Sequence, residues 1–415
     1  MKEPWSKRHK HEFKGTKFSL SNSFAQPLSQ PELVEFIVQQ DDSSSCHNDL
    51  LEMYQNHDLE YVPNGGSLDL RQDIANVVYN QDKNEDQEPM TADNVLVFPG
   101  AQVALQTAAL AFARDCHSIV FTPGYQSTVE SPDWAKTSQG TTQIPRSPEN
   151  NWQVDPEKLK EAMQPNTKFL ILNEPHNPSG IIMSRELQAQ VIEICREHDI
   201  VILCDEVYRL LEHDHDDTDG SKTIHTTSSS SSSLRIPSMA NAYEKGISAV
   251  TMSKPWGGCG ISIGWLVCRD RSMIQTLVDV QYFGTACVSR VSEIQGRMVL
   301  AASSAILKDR MTTIRHNKAL LQEFIEVKYA KWFSWNRPNA GAIAFVKFLG
   351  PWTSNQFGDE LAKAGISIKP AYCFADTIPP EIQQYFRVGF GERRMPLALE
   401  ALGEFVEKHQ DSWGS

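Results

Sequence analysis

Lys254 is the residue whose neighbours could give it a reaction to perform. It stands in Thr251-Met252-Ser253-Lys254-Pro255-Trp256-Gly257-Gly258-Cys259-Gly260, after the run Ile247-Ser248-Ala249-Val250. The run reads as a buried strand by apolar content and length. The glycines read as a tight, backbone-exposed turn. A lysine at a strand end facing a cleft loses hydration, so its pKa falls and the neutral amine becomes available for Schiff-base chemistry. Taken alone, a lysine beside a loop is more often a surface residue. Three other stretches change that weighing. Ile171-Leu172 runs into Asn173-Glu174-Pro175-His176-Asn177-Pro178-Ser179-Gly180, and Val201-Ile202-Leu203-Cys204 runs into Asp205-Glu206-Val207-Tyr208. Far downstream, Arg387 lies inside Tyr385-Phe386-Arg387-Val388-Gly389-Phe390, whose flanks read as buried. An arginine there has the planar fork that grips a carboxylate with two parallel N–H bonds.

Alternating strand and helix patterns from about residue 168 to 270 predict a mostly parallel sheet sandwiched by helices. In such sheets ligands collect at the strands' C-terminal ends, and Asn177, Asp205 and Lys254 each follow such an end. Asn94 to Phe98 reads as another strand, with Pro99-Gly100-Ala101-Gln102 turning into an apolar helix. Backbone N–H groups at that helix start form an anion site. Ser118 to Thr122 is a further strand, leading to Pro123-Gly124-Tyr125. A second, smaller αβ unit closes the chain, with strands at Gly341–Phe348, Gly365–Pro370 and Tyr385–Phe390. The expected division is an N-terminal arm over 1–49 packing with the small domain, a large domain over 50–305 and a small domain over 306–415. The stretch 213–245, with His213-Asp214-His215-Asp216-Asp217 and a serine run from Ser228 to Ser233, reads as a flexible surface insertion. Helices are expected at Gln30–Gln40, Ser292–Leu307 and Thr313–Ala330.

The 415 residues are 40% hydrophobic and 9% aromatic, enough for a full core and two domains. Net charge is −13, from 39 basic and 52 acidic residues, with no basic stripe carrying interleaved aromatics, which argues against nucleic acid as a partner. Eight scattered cysteines without a CxxC pair suit buried thiols in a reducing, cytoplasmic setting. The polar N-terminus reads as neither a signal peptide nor a membrane span. His9 and His11 lack further ligands at matching spacing, so no metal is expected.

The ordered set of Asn177, Asp205, Ser253-Lys254 and Arg387 resembles the fold-type I pyridoxal-phosphate (PLP) enzymes, specifically the class I/II aminotransferase family. The resemblance runs from about Tyr61 to the C-terminus. It implies an α/β large domain with a smaller C-terminal domain, a homodimer, the cofactor pyridoxal 5'-phosphate and an α-amino-acid substrate. Lys254 would form the Schiff base and shuttle the α-proton. Asp205 would pair with the pyridinium nitrogen, although an acid after Val-Ile-Leu-Cys also makes a good helix cap. Tyr125 would stack on the ring, and Asn177 and Tyr208 would bond its phenolic oxygen. Gly100, Ala101, Gln102, Ser253 and Ser262 would surround the phosphate. Arg387, with Asn177, would take the substrate carboxylate. Tyr61, with Thr285, would reach across the dimer seam.

Two positions depart from the family pattern. Ser262 stands where an arginine commonly clamps the phosphate, and Ala371 follows Pro370 where glycine is usual. These keep a second reading open: elimination, replacement, cyclisation or oxidation of an amino acid with the same cofactor, as in capreomycidine-synthase-like members. A third, non-catalytic binding module finds no attached DNA-binding segment to support it.

Overall fold

The computed structural model describes residues 17–39, 45–81, 87–135, 137–213, 235–285, 287–375 and 377–413, with the backbone alone at 45–48. His9, His11 and most of the serine-rich insertion lie outside them. Seven strands form the main sheet: β2 (Val95–Phe98), β3 (His117–Thr122), β4 (Thr141–Pro145), β5 (Thr167–Asn173), β6 (Val201–Asp205), β7 (Gly246–Thr251) and β8 (Gly264–Val267). Their order is β2-β8-β7-β6-β5-β3-β4. The ladders from β7 to β4 are parallel, and β8 runs antiparallel to both β2 and β7. Near-continuous apolar strands such as Phe169-Leu170-Ile171-Leu172, all buried, follow from helices covering both faces. The covering helix Arg185–Glu197 starts at Ser184, whose hydroxyl accepts from the Leu187 N–H at 3.1 Å, and buries Val191, Ile192, Ile194 and Cys195.

A second, antiparallel sheet has the order β12-β13-β10-β9, with β9 (Phe333–Trp335), β10 (Ile343–Phe348), β12 (Lys369–Pro370) and β13 (Tyr385–Gly389). Its core is aromatic: Phe333, Phe348, Phe357 and Phe386 pack with Trp413. Two further short strands, β1 (Phe18–Ser19) and β11 (Ile366–Ser367), pair in parallel and tie the start of the described chain to this unit.

Several boundaries differ from the sequence reading. The break between the two helices expected over 292–330 falls at Ala302, between Arg290–Ala301 and Ser303–Glu323, with no Gly or Pro to announce it, and a π-helical turn continues the second through Phe324–Lys328. A helix at Ser45–Asn56 was not foreseen. Both ends of the expected insertion are folded: His213 is buried, and residues 235–245 run into the short helix Met239–Ala242 and β7. His213 is held by the Gly341 carbonyl, which accepts from its Nε2 at 2.8 Å. Its burial, opposite Lys318, pushes its pKa down to about 3. Among the described residues no helix is long and apolar enough to cross a membrane, and the seven described cysteines are free.

Candidate active site

Ladder register puts the polar ends of three strands side by side. Asn173 pairs with Asp205, and Asp205 with Ala249. The chain leaving β7 then delivers Ser253 and Lys254 beyond that edge. Across the sheet, Gly264 is level with both Phe98 and Thr251. This gathers the Gly100 turn, Ser253 and Ser262 at one end. A Cβ on Gly264 would sit 2.5 Å from the Ala101 nitrogen, so only glycine lets the turn close there. Gly100 has φ 94° and starts the helix Ala101–Phe112 with no side-chain cap. The first amides, at Ala101 and Gln102, therefore face an opening that an anion suits. Ser262 is exposed in the left-handed region at φ 55°, and brings no charge.

Asp205 is buried, and one carboxylate oxygen accepts the Val207 N–H at 3.3 Å. Burial pushes its pKa up to about 7, with the Lys254 ammonium opposing the rise. Lys254 moves the other way, down to about 8, through desolvation and then the nearby Arg387 charge. Tyr208 is buried beside Ser23, and desolvation raises its pKa to about 12. Tyr125 opens the short helix Gln126–Val129, close enough to Tyr208 to influence its ionisation.

Arg387 is buried on β13. Its Nη1 donates to Asn177 Oδ1 at 3.0 Å, its Nη2 donates to the Ser21 carbonyl at 2.6 Å, and its guanidinium lies over Phe374. Because Asn177 Oδ1 accepts from Arg387, its Nδ2 amide is left to donate elsewhere. The Asn177 loop is braced from behind. Arg146 pairs with Glu174 at 2.8 Å, both buried, and Glu174 also accepts the Met183 N–H. His176 Nε2 donates to the Pro123 carbonyl at 2.8 Å, so its Nδ1 accepts from Ser179. Burial beside Arg146 holds His176 neutral, well below its usual pKa.

Lys254, Asp205, Asn177, Tyr208, Tyr125 and Arg387 thus lie near one another, with Gly100, Ala101 and Ser253 following the strand ends level with Gly264. Tyr61 does not: it is 93% exposed. Thr285 closes the helix Arg271–Gly284 with its hydroxyl oxygen buried. Sequence reasoning passed over Arg146 and Ser23. Lys254 Nζ donates to Ser23 Oγ at 3.0 Å and lies 5.9 Å from the Phe24 ring centroid. The buried carboxylate, the depressed lysine, the buried tyrosine hydroxyl and the uncapped helix start together fit a phosphorylated aromatic aldehyde with a basic ring nitrogen.

Residues 44–397 match the family described as aminotransferase class I and II. The aspartate aminotransferase of Bacillus subtilis is 30% identical over 155 residues, 37% of this chain and 38% of that one. Capreomycidine synthase of Streptomyces vinaceus is 24% identical over 296 residues, covering 70% and 68%. A PLP-dependent aminotransferase from Streptococcus suis has the same fold, with a TM-score of 0.80 at 23% identity, over 95% of this chain and 94% of that one.

Proposed function

Because the chain belongs to the class I and II aminotransferases, PLP-dependent transferases, we propose that it moves the amino group of an α-amino acid to a keto acid, with Lys254 as the reacting amine. The convergence of Lys254, Asp205, Asn177 and Arg387 on one cleft carries this reading. PLP, when bound, supplies an electron sink for charge developing at the substrate's α-carbon. The protein does the rest. Lys254 Nζ, whose lowered pKa leaves a fraction of it neutral near physiological pH, takes and returns the α-proton. Asp205 supplies the carboxylate that keeps a ring nitrogen protonated. Tyr208 Oη and Asn177 Nδ2 donate to the ring oxygen, and Tyr125 covers a ring face. The amides at Ala101 and Gln102, with the Ser253 and Ser262 hydroxyls, hold the phosphate, with Gly100 giving the turn. The Arg387 guanidinium takes the substrate carboxylate in place of the Ser21 carbonyl. Residues 1–49 are proposed as an arm on the small domain, 50–305 as the large domain and 306–415 as the small domain, and the β1–β11 pairing supports the arm's placement.

The test is spectral and chemical. Purified protein should show the visible band of a Schiff base, and Lys254→Ala should replace it with that of the free aldehyde. Enzyme, amino acid and keto acid should then yield a new amino acid in stoichiometric amount by mass. No visible cofactor band, or a band unchanged by Lys254→Ala, removes the proposal. Ammonia or a cyclic product would favour the second reading, elimination or cyclisation, which the uncharged, exposed Ser262 and the similarity to capreomycidine synthase support.

A further inference from the structure

We propose that Ser23 is a positioning residue: its hydroxyl holds the Lys254 amine by one N–H and so fixes where the nitrogen's lone pair points. The inference rests on the reading that Lys254 is the reacting amine. Lys254 Nζ donates to Ser23 Oγ at 3.0 Å. A neutral amine that gives one N–H to a fixed acceptor keeps its lone pair directed away from that acceptor. On this side of the amine the acceptor comes from the N-terminal segment, not from the sheet that carries Lys254.

That segment has little freedom. The Ala25 N–H donates to the Lys254 carbonyl at 3.1 Å, and the Gly389 N–H donates to the Leu20 carbonyl at 2.7 Å. The Leu28 N–H donates to the Gly257 carbonyl at 3.0 Å, and Asn22 Nδ2 to Glu392 at 2.6 Å. Three glycines make room for its backbone. A Cβ on Gly389 would lie 1.6 Å from the Asn22 oxygen, on Gly391 2.1 Å from the Phe24 oxygen, and on Gly257 2.0 Å from the Gln26 oxygen. Residues 22–26 are therefore clamped by backbone contacts between the Lys254–Gly257 turn and the Gly389–Gly391 stretch, and Ser23 is placed by its neighbours. Its hydroxyl also lies close enough to Tyr208 to favour that phenol's ionised form. A serine can accept from Lys254 and donate its own proton onward at once.

The experiment compares Ser23→Ala and Ser23→Thr with the native chain. An acceptor stabilises the ammonium form, so its loss lowers the amine's pKa further. Arg387, Lys369, Asp205 and Cys259 are the other ionisable groups acting on that amine, and they stay constant. In cofactor-free protein, the pH dependence of Lys254 labelling by trinitrobenzenesulfonate, read by peptide mass, should shift down by about half a unit in Ser23→Ala. In loaded enzyme the same variant should lose about tenfold in kcat with KM unchanged. Ser23→Thr, which keeps the hydroxyl, should restore both. An unchanged labelling profile in Ser23→Ala overturns the proposal even if kcat falls, since the effect would then come through the segment's packing. So does a Ser23→Thr variant as impaired as Ser23→Ala. The labelling readout needs no turnover, so it reports on Ser23 even where the transfer reading fails its own test with Lys254→Ala.

Discussion

Asp205 sits at the end of β6 with a pKa raised to about 7 from an ordinary 3.8, and burial is the main cause. The sign of its linkage follows. A carboxyl whose folded pKa lies above its unfolded value favours the folded state below the unfolded pKa and loses that advantage as pH rises through the folded one. Cofactor-free protein therefore holds an ionised Asp205 at a cost that is complete above about pH 7 and absent below about pH 4, up to about 4 kcal/mol from the shift. Asp205→Asn should raise the melting temperature of the cofactor-free protein at pH 8, and the gain should shrink toward zero at pH 4. In the presence of PLP the same variant should retain the cofactor at least about tenfold less well, because the paired charge is gone. Thermal melts at two pH values and a cofactor titration check both halves. A variant with no stability gain at pH 8 would mean that Asp205 is better solvated than its burial indicates. Lys254 carries the complementary strain. Its pKa, lowered from 10.5 to about 8, leaves a useful fraction of neutral amine near neutrality, and the cost of charging it builds as pH falls from 10.5 and is complete below about 8.

The elements that hold these residues were legible to different degrees. Continuous apolar runs announced β5, β6 and β7 and put Asn177, Asp205 and Lys254 just past their ends, and the ladders then set Asn173 level with Asp205 and Asp205 level with Ala249. Arg146 could not. A charged side chain 4% exposed, paired with Glu174, breaks the rule that polar residues point outward, and its partner lies in another element. The segment 20–28 was equally opaque. It mixes polar and apolar residues without a period, forms almost no regular structure, and owes its position to glycines hundreds of residues away. Gly257 looked like an ordinary bend; its clearance against Gln26 appears only once the two are in contact. That clearance can be tested. At φ +72° an L side chain is strained, and a Cβ would meet the Gln26 carbonyl oxygen at 2.0 Å. Gly257→Ala should cost about 1–3 kcal/mol in stability. It should also loosen the segment, which limited proteolysis with cleavage mapped between residues 20 and 28 would register. Native resistance to cleavage would show that the backbone absorbs the methyl group elsewhere.

At the scale of the whole molecule, Tyr61 poses a geometric problem. It is 93% exposed, so it touches no cleft of its own chain, and Leu59 at 92% and Phe283 at 90% are exposed with it. Tyr282 and Phe283 stack edge to face at 5.3 Å on the surface, where large apolar side chains are costly unless covered. A second copy of the chain resolves both facts, and we propose a homodimer in which each cleft takes Tyr61 of the partner subunit. Sedimentation should show a dimer, and Phe283→Asp combined with Leu59→Asp should shift it toward monomer. Subunit mixing then tests whether the site is shared. Lys254→Ala and Tyr61→Ala homodimers should each be impaired. In a mixed dimer the Tyr61→Ala subunit keeps its own Lys254 and faces an intact Tyr61 across the interface, so one of the two sites is native again. Random exchange of equal amounts makes half the dimers mixed, so activity should recover to about one quarter of the native value. If mixing restores nothing while exchange is demonstrated, Tyr61 does not act across the interface, and its exposure needs a different partner to explain it.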